Sequence, residues 1–261
     1  EEHISMAALV ELIHTASLIH DDIIDNADFR RGRDTIHARW GPNISVLLGD
    51  YLYIKTIGLS QESPYPEVIR ILTDVSARMI EGELTEYELS GNLETGEDDY
   101  LTIIDKKTAS LFAAACRIGA VLSRARPEEE SRLVDYGRNL GLAFQVTDDL
   151  LDFQGEERRL GKPILADLSE GRITLPLIYA LRSDRAESRK RLKSLLEKKR
   201  LDRRSKEEIL NIIKANGALD NGYRKAEEFS VRAREAISEF PESAHREALS
   251  LLAKFIVRRD S

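Results

Sequence analysis

This sequence predicts an all-α fold in a single domain spanning residues 1–261, and three observations lead there. Apolar residues recur at intervals of three and four along most of the chain. The breaks in that pattern carry helix-ending punctuation: Gly41-Pro42, Pro64, Pro66, Gly91, Gly96, Pro127, Gly161 to Pro163 and Pro241. No stretch alternates convincingly as a strand, no fixed-period repeat occurs, and no low-complexity linker divides the chain.

The first helix spans Ile4 to Ile24, with Leu9, Leu12, Ile13, Ala16, Ile19 and Ile23 on its apolar stripe. Further helices are expected over Ile44–Leu59, Glu67–Leu89, Asp99–Leu122 and Glu128–Phe153. Shorter ones follow over Leu175–Arg182, Lys190–Lys198, Ser205–Ala215, Leu219–Ser238 and Ala244–Val257. From Arg182 onward the chain is rich in Lys, Arg and Glu, which reads as solvated outer helix faces.

Bulk composition excludes several function classes. A net charge of −7 argues against nucleic acid as a general partner. The single cysteine, Cys116, permits no intramolecular disulfide and fits a reducing, cytoplasmic compartment. No apolar run approaches the ~20 residues of a transmembrane helix, and no signal peptide is visible. The chain opens at Glu1 already in helical pattern, so N-terminal helices are expected to be missing.

Two acidic clusters carry the chemistry. Both have the form D-D-x-x-D: Asp21, Asp22 and Asp25, then Asp148, Asp149 and Asp152. At about 100° per residue, positions i and i+4 lie one turn apart on the same face. Asp21 with Asp25, and Asp148 with Asp152, therefore form two-carboxylate prongs. Each cluster ends an apolar helical run, so the acids face the negative pole of a helix and repel one another. Bound divalent cations can offset both costs, and a set of hard oxygen donors suits Mg²⁺. One such motif alone reads as an acidic surface face; two copies on apolar helices make coincidence a poor account. Basic residues trail them: Arg30 and Arg31 after the first cluster, Lys107 beside Thr108 at mid-chain, then Lys162 and Arg172 after the second. Such cations suit phosphate oxygens, arginine as a fork and lysine as a point charge.

The stretches ELIHTASLIHDDIIDNADFRRG, LLGDYL, EGEL, KTASLFAAAC, YGRNLGLAFQVTDDLLD, LGKP and GRITLPLIYAL, in that order, resemble the trans-isoprenyl (polyprenyl) diphosphate synthases. The likeness runs from about Val10 to the C-terminus. It implies mostly antiparallel helices around a central active-site cavity and a homodimer. It also implies Mg²⁺-dependent condensation of isopentenyl diphosphate with an allylic diphosphate, with three metal ions when substrate is bound. Carried onto this chain, Asp21, Asp25 and Asp148 bind metal, assisted by Asp22, Asp149 and Asp152. Arg30, Lys107, Lys162 and Arg172 surround the allylic diphosphate, and Thr108 and Gln145 steady the developing cation. His14 and Arg31 contact isopentenyl diphosphate, and Phe144 packs nearby or simply belongs to the core.

Some positions depart from the family pattern. The family's upstream G-K-x-x-R-P segment is absent, Arg172 stands where lysine is usual, Leu165 replaces a frequent glycine, and Glu86 falls where glutamine is common. Ala16 and Ser17, one turn below Asp21, are small where short-chain relatives carry Phe or Tyr. That points to a long product of hexaprenyl length or more, the alternatives being a farnesyl or geranylgeranyl diphosphate synthase or the non-catalytic subunit of a heteromeric synthase. The small residues Ala113 to Cys116, Gly119 and Ala120 suit either internal helix packing or the dimer interface.

Overall fold

The computed structural model describes residues 2–30, 32–154, 165–198 and 201–258. Arg31 and Lys162 lie outside the described residues. Helix α1 (Glu2–Ile24) carries the first acidic motif at its end. A hairpin of β1 (Phe29–Arg30) and β2 (Arg33–Asp34) follows, then α2 (Ile36–Trp40), α3 (Pro42–Ser60) and α4 (Pro66–Glu88). Next come α5 (Glu97–Ile104), a π-helical turn (Asp105–Ala109), α6 (Ser110–Leu122) and α7 (Pro127–Leu151). The remainder comprises α8 (Ala166–Ser169), α9 (Leu175–Leu181), α10 (Ala186–Leu196), α11 (Arg203–Ala215), α12 (Ala218–Ala236) and α13 (Ala244–Arg258).

The helices meet the sequence expectation, with three differences. The short β1–β2 pairing falls within the segment holding Arg30, where two residues per strand are too few to show alternation. Helix α2 is a five-residue piece capped by the Thr35 side chain, which accepts from the Ala38 N–H at 3.0 Å. The expected helix Asp99–Leu122 is interrupted by the π turn, which rotates Lys107 and Thr108 relative to a continuous α-helix. Two arginines pin that turn: Arg78 and Arg138 both donate to Asp105, at 3.1 and 2.5 Å.

Burial divides the interior into two clusters. One joins α1, α4 and α6 through Leu9, Ile13, Val68, Leu72, Met79 and Ile118. The larger surrounds α7 and α9, whose Leu150, Leu175, Leu177 and Ile178 are fully buried, with α10 to α13 packed outside. Helix α7 is the spine, pairing most extensively with α12 and α6. Its Gly137 lets α6 come close: a Cβ there would lie 2.5 Å from the Phe112 carbonyl oxygen and 2.9 Å from Cys116 Sγ. Ala114 and Ala120 are buried as well. Of the small residues of α6, Ala114 and Ala120 thus serve internal packing, whereas Ala115 and Gly119 are exposed.

Candidate active site

Both acidic motifs end their helices, as the apolar runs before them predict. Asp21 and Asp22 occupy the last turn of α1, and Asp25 follows its final residue. The chain then reverses through a Schellman motif. The Ala27 N–H donates to the Asp22 carbonyl (2.9 Å), the Asn26 N–H donates to that of Ile23 (3.1 Å), and Asn26 sits at φ +49°. Asp148 and Asp149 lie in the last turn of α7, and Asp152 caps it.

A cavity of about 150 Å³ opens where the motifs approach. Its walls bring together Asp25, Lys107, Thr108, Gln145, Asp148, Asp149 and Arg172 from the residues singled out in the sequence. Asp21 borders this group electrostatically, since its carboxyl feels Lys107, Glu83, Asp25 and Arg30. His14 and Ser17, half-buried on α1, and Ala16, fully buried, do not line it. Asp22 turns away from it: the carboxylate is buried and accepts from Arg30 Nε at 2.7 Å. Asp152 accepts from the Ala166 and Asp167 N–H groups, at 3.1 and 3.4 Å, so it anchors the start of α8.

Sequence reasoning missed several members. Tyr100 donates to Asp149 Oδ2 at 2.6 Å while Gln145 donates to Oδ1 at 2.7 Å, and Thr108 in turn donates to Gln145 Oε1 at 2.8 Å. Asp149 is thus held on both oxygens. Lys107 is gripped by Glu83 at 2.6 Å and by Glu86. Gly82 permits this approach, because a Cβ there would meet the Lys107 backbone nitrogen at 2.6 Å. Asp167 and Glu170 both pair with Arg172. The acid-rich run EGELTEYE was the available signal for the glutamates; Tyr100 gave none, because a tyrosine at helical spacing reads as core.

Burial pushes the Asp21 carboxyl up to about 7 against the pull of Lys107, with Glu83 and Asp25 adding to the rise. Asp152 is pushed up to about 7 by burial and then by Asp167, against its two backbone hydrogen bonds. Asp149 is raised well above the carboxylate range, by burial first and Asp167 second. Lys107 stays firmly protonated: burial opposes its charge, but Glu86 and Glu83 outweigh that. The site thus collects buried carboxylates that lack enough positive charge nearby, which is the condition a hard divalent cation relieves. Among the described residues, no three His, Cys, Asp or Glu side chains could hold a metal ion by themselves. Oxygens from a bound phosphate group would complete such a shell, the usual manner of Mg²⁺.

Comparison with known proteins agrees with this geometry. The octaprenyl diphosphate synthase of Escherichia coli (strain K12) is 37% identical over 99% of this chain and 80% of its own length. A short chain isoprenyl diphosphate synthase of Methanothermobacter thermautotrophicus is also 37% identical, over 98% of this chain and 79% of its own. Among solved structures, a polyprenyl synthase from Caulobacter crescentus CB15, complexed with calcium and isoprenyl diphosphate, superposes with a TM-score of 0.91. It is 38% identical, with 100% of this chain and 80% of that one covered. Residues 1–213 match the polyprenyl synthetase family profile. With Asp25 of one aspartate motif and Asp148 and Asp149 of the other sharing a cavity with Lys107 and Arg172, and likeness along nearly its whole length, the chain belongs to the polyprenyl synthetase family, the trans-isoprenyl diphosphate synthases.

Proposed function

We propose that this protein is a Mg²⁺-dependent prenyltransferase that adds isopentenyl diphosphate to an allylic diphosphate, building an all-trans polyprenyl diphosphate of hexaprenyl length or more. The observation that carries the reading is the shared cavity, with Asp25 and Asp148 from the two motifs facing Lys107 and Arg172.

Asp21, Asp25 and Asp148 supply the metal-binding carboxylates, for three ions with substrate bound. Mg²⁺ held there would neutralise the diphosphate and make it a better leaving group. Lys107 and Arg172 add fixed positive charge on the same side, and both are buried enough for that charge to act at low dielectric. The carbon–oxygen bond of the allylic substrate breaks, the double bond of isopentenyl diphosphate attacks the allylic carbon, and a proton leaves for the departed diphosphate. The Gln145 carbonyl and Thr108 hydroxyl stand beside that carbon's path as dipoles that favour positive charge. Asp149, held by Tyr100 and Gln145, and Asp22, held by Arg30, keep the neighbouring ligands in place. His14 and Arg31 belong with isopentenyl diphosphate, and Arg30 and Lys162 with the allylic diphosphate.

Ala16 and Ser17 support the long product, since both are small where short-chain relatives carry Phe or Tyr. A homodimer is supported by α3, where Ile44, Leu47, Tyr51 and Ile54 form an exposed apolar stripe at helical spacing. Among the described residues no helix is long and apolar enough to cross a membrane. We assign the activity to the cytoplasm.

Asp21→Ala or Asp148→Ala should each lower kcat by about 10²-fold or more with Mg²⁺ present, the scale of losing preorganised charge stabilisation. Turnover close to the unaltered protein in both variants would remove the site.

A further inference from the structure

Arg172 lies on the wall of the cavity that Asp25 and Asp148 share, and its guanidinium is divided between Asp25 and two acids that follow the second motif. One nitrogen, Nη1, donates to Asp25 Oδ1 at 2.9 Å. The other, Nη2, donates to Asp167 Oδ1 at 2.7 Å and pairs with Glu170. Asp167 is tied to the second motif, because its own N–H and that of Ala166 donate to the Asp152 carboxylate. A continuous polar chain therefore runs from Asp25 through Arg172, Asp167 and the start of α8 to Asp152. The Arg172 side chain is only 16% exposed and lies on the cavity wall.

We propose that Arg172 is a built-in counter-cation for Asp25 in the metal-free protein, and that a diphosphate entering the cavity draws Nη1 away and frees this carboxylate for metal. The proposal rests on the prenyltransferase reading only for the identity of the incoming diphosphate. The division of labour in the fork makes the exchange local. Nη2 keeps its hold on Asp167 and Glu170, so the side chain pivots at the wall. Nη1 trades a carboxylate oxygen for a phosphate oxygen of a group that carries more charge. Metal arriving alone must instead break the Asp25–Arg172 pair with nothing to replace it. Metal binding should therefore be weak before the diphosphate and strong after it. A lysine would present all its donors from one nitrogen, as Lys107 does to Glu83 and Glu86; only the arginine fork can release Asp25 from one nitrogen while another stays on Asp167 and Glu170.

The test is calorimetric titration of Mg²⁺ into the folded protein, alone and with inorganic diphosphate, for the unaltered chain and for Arg172→Gln. The glutamine variant removes the counter-cation from Asp25. It should bind Mg²⁺ alone at least about fivefold more tightly, and should lose most of the difference between the two titrations. Circular dichroism verifies the fold of both proteins. Equal Mg²⁺ affinity of the two proteins without diphosphate would overturn the latch. A separate turnover assay distinguishes this from failure of the functional reading. Absence of product from the unaltered chain, together with tighter metal binding by the variant, would sink the prenyltransferase reading and leave the latch standing.

Discussion

Leu165 shows how much a single residue can carry. It holds φ +58° and ψ +43°, left-handed geometry that costs a residue with a Cβ about 1–2 kcal/mol, and its side chain is fully buried. A glycine would adopt that backbone without penalty; here the buried leucine packing offsets the strain. The substitution was visible in the sequence, but the backbone angle that gives it meaning was not. The same contrast holds for the acids. Their spacing and their place at helix ends were legible, because periodicity fixes both. Which carboxylates face the cavity depends on partners remote in sequence: Arg172 for Asp25, and Tyr100 for Asp149. Ala16 supplies a prediction at this scale. It is fully buried one turn below Asp21, so Ala16→Phe should shorten the dominant product, read by chromatography of the dephosphorylated alcohols. Ser17→Phe, at a half-buried position, repeats the test with less disturbance of the core. Unchanged product length in both would remove this turn from chain-length control.

Among the elements, the π turn between α5 and α6 matters most to the site. It places Lys107 against Glu83 and Glu86, with Thr108 one residue on facing Gln145. Helical periodicity read straight through it, since one inserted residue barely perturbs the apolar pattern. Its seat depends on Gly82 of α4, where any side chain collides with backbone. Gly82→Val should therefore cost about 1–3 kcal/mol through overpacking, measured as a lower urea midpoint. The KM for the allylic substrate should rise at the same time, because Lys107 moves with the turn. Loss of stability with KM unchanged would separate the turn from substrate binding.

Across the whole molecule, the order of the long helices among the described residues followed from sequence pattern, the π turn inside the expected Asp99–Leu122 helix excepted. The closure of the two acidic motifs on one cavity did not, since it depends on how α1 and α7 are brought together through α6 and α4. That closure has a pH signature. Asp21 and Asp152 each titrate near 7 in the folded protein against an ordinary value of 3.8. The unfolded chain releases these protons first, so stability of the metal-free protein should fall as pH rises from about 4 to about 7 and remain lowered above that. On the proposed reading, Mg²⁺ would take the place of the Asp21 proton. The rise in Tm on adding Mg²⁺ and inorganic diphosphate should be small at pH 5.5 and several degrees larger at pH 8. An equal rise at both values would mean that these carboxylates do not serve the metal. The most direct measurement of the central claim is incubation of the protein with farnesyl diphosphate, labelled isopentenyl diphosphate and Mg²⁺, followed by sizing of the labelled products. Polyprenyl chains of thirty carbons or more, absent without Mg²⁺, are the expected result; products ending at geranylgeranyl length, or no incorporation of label, would contradict it.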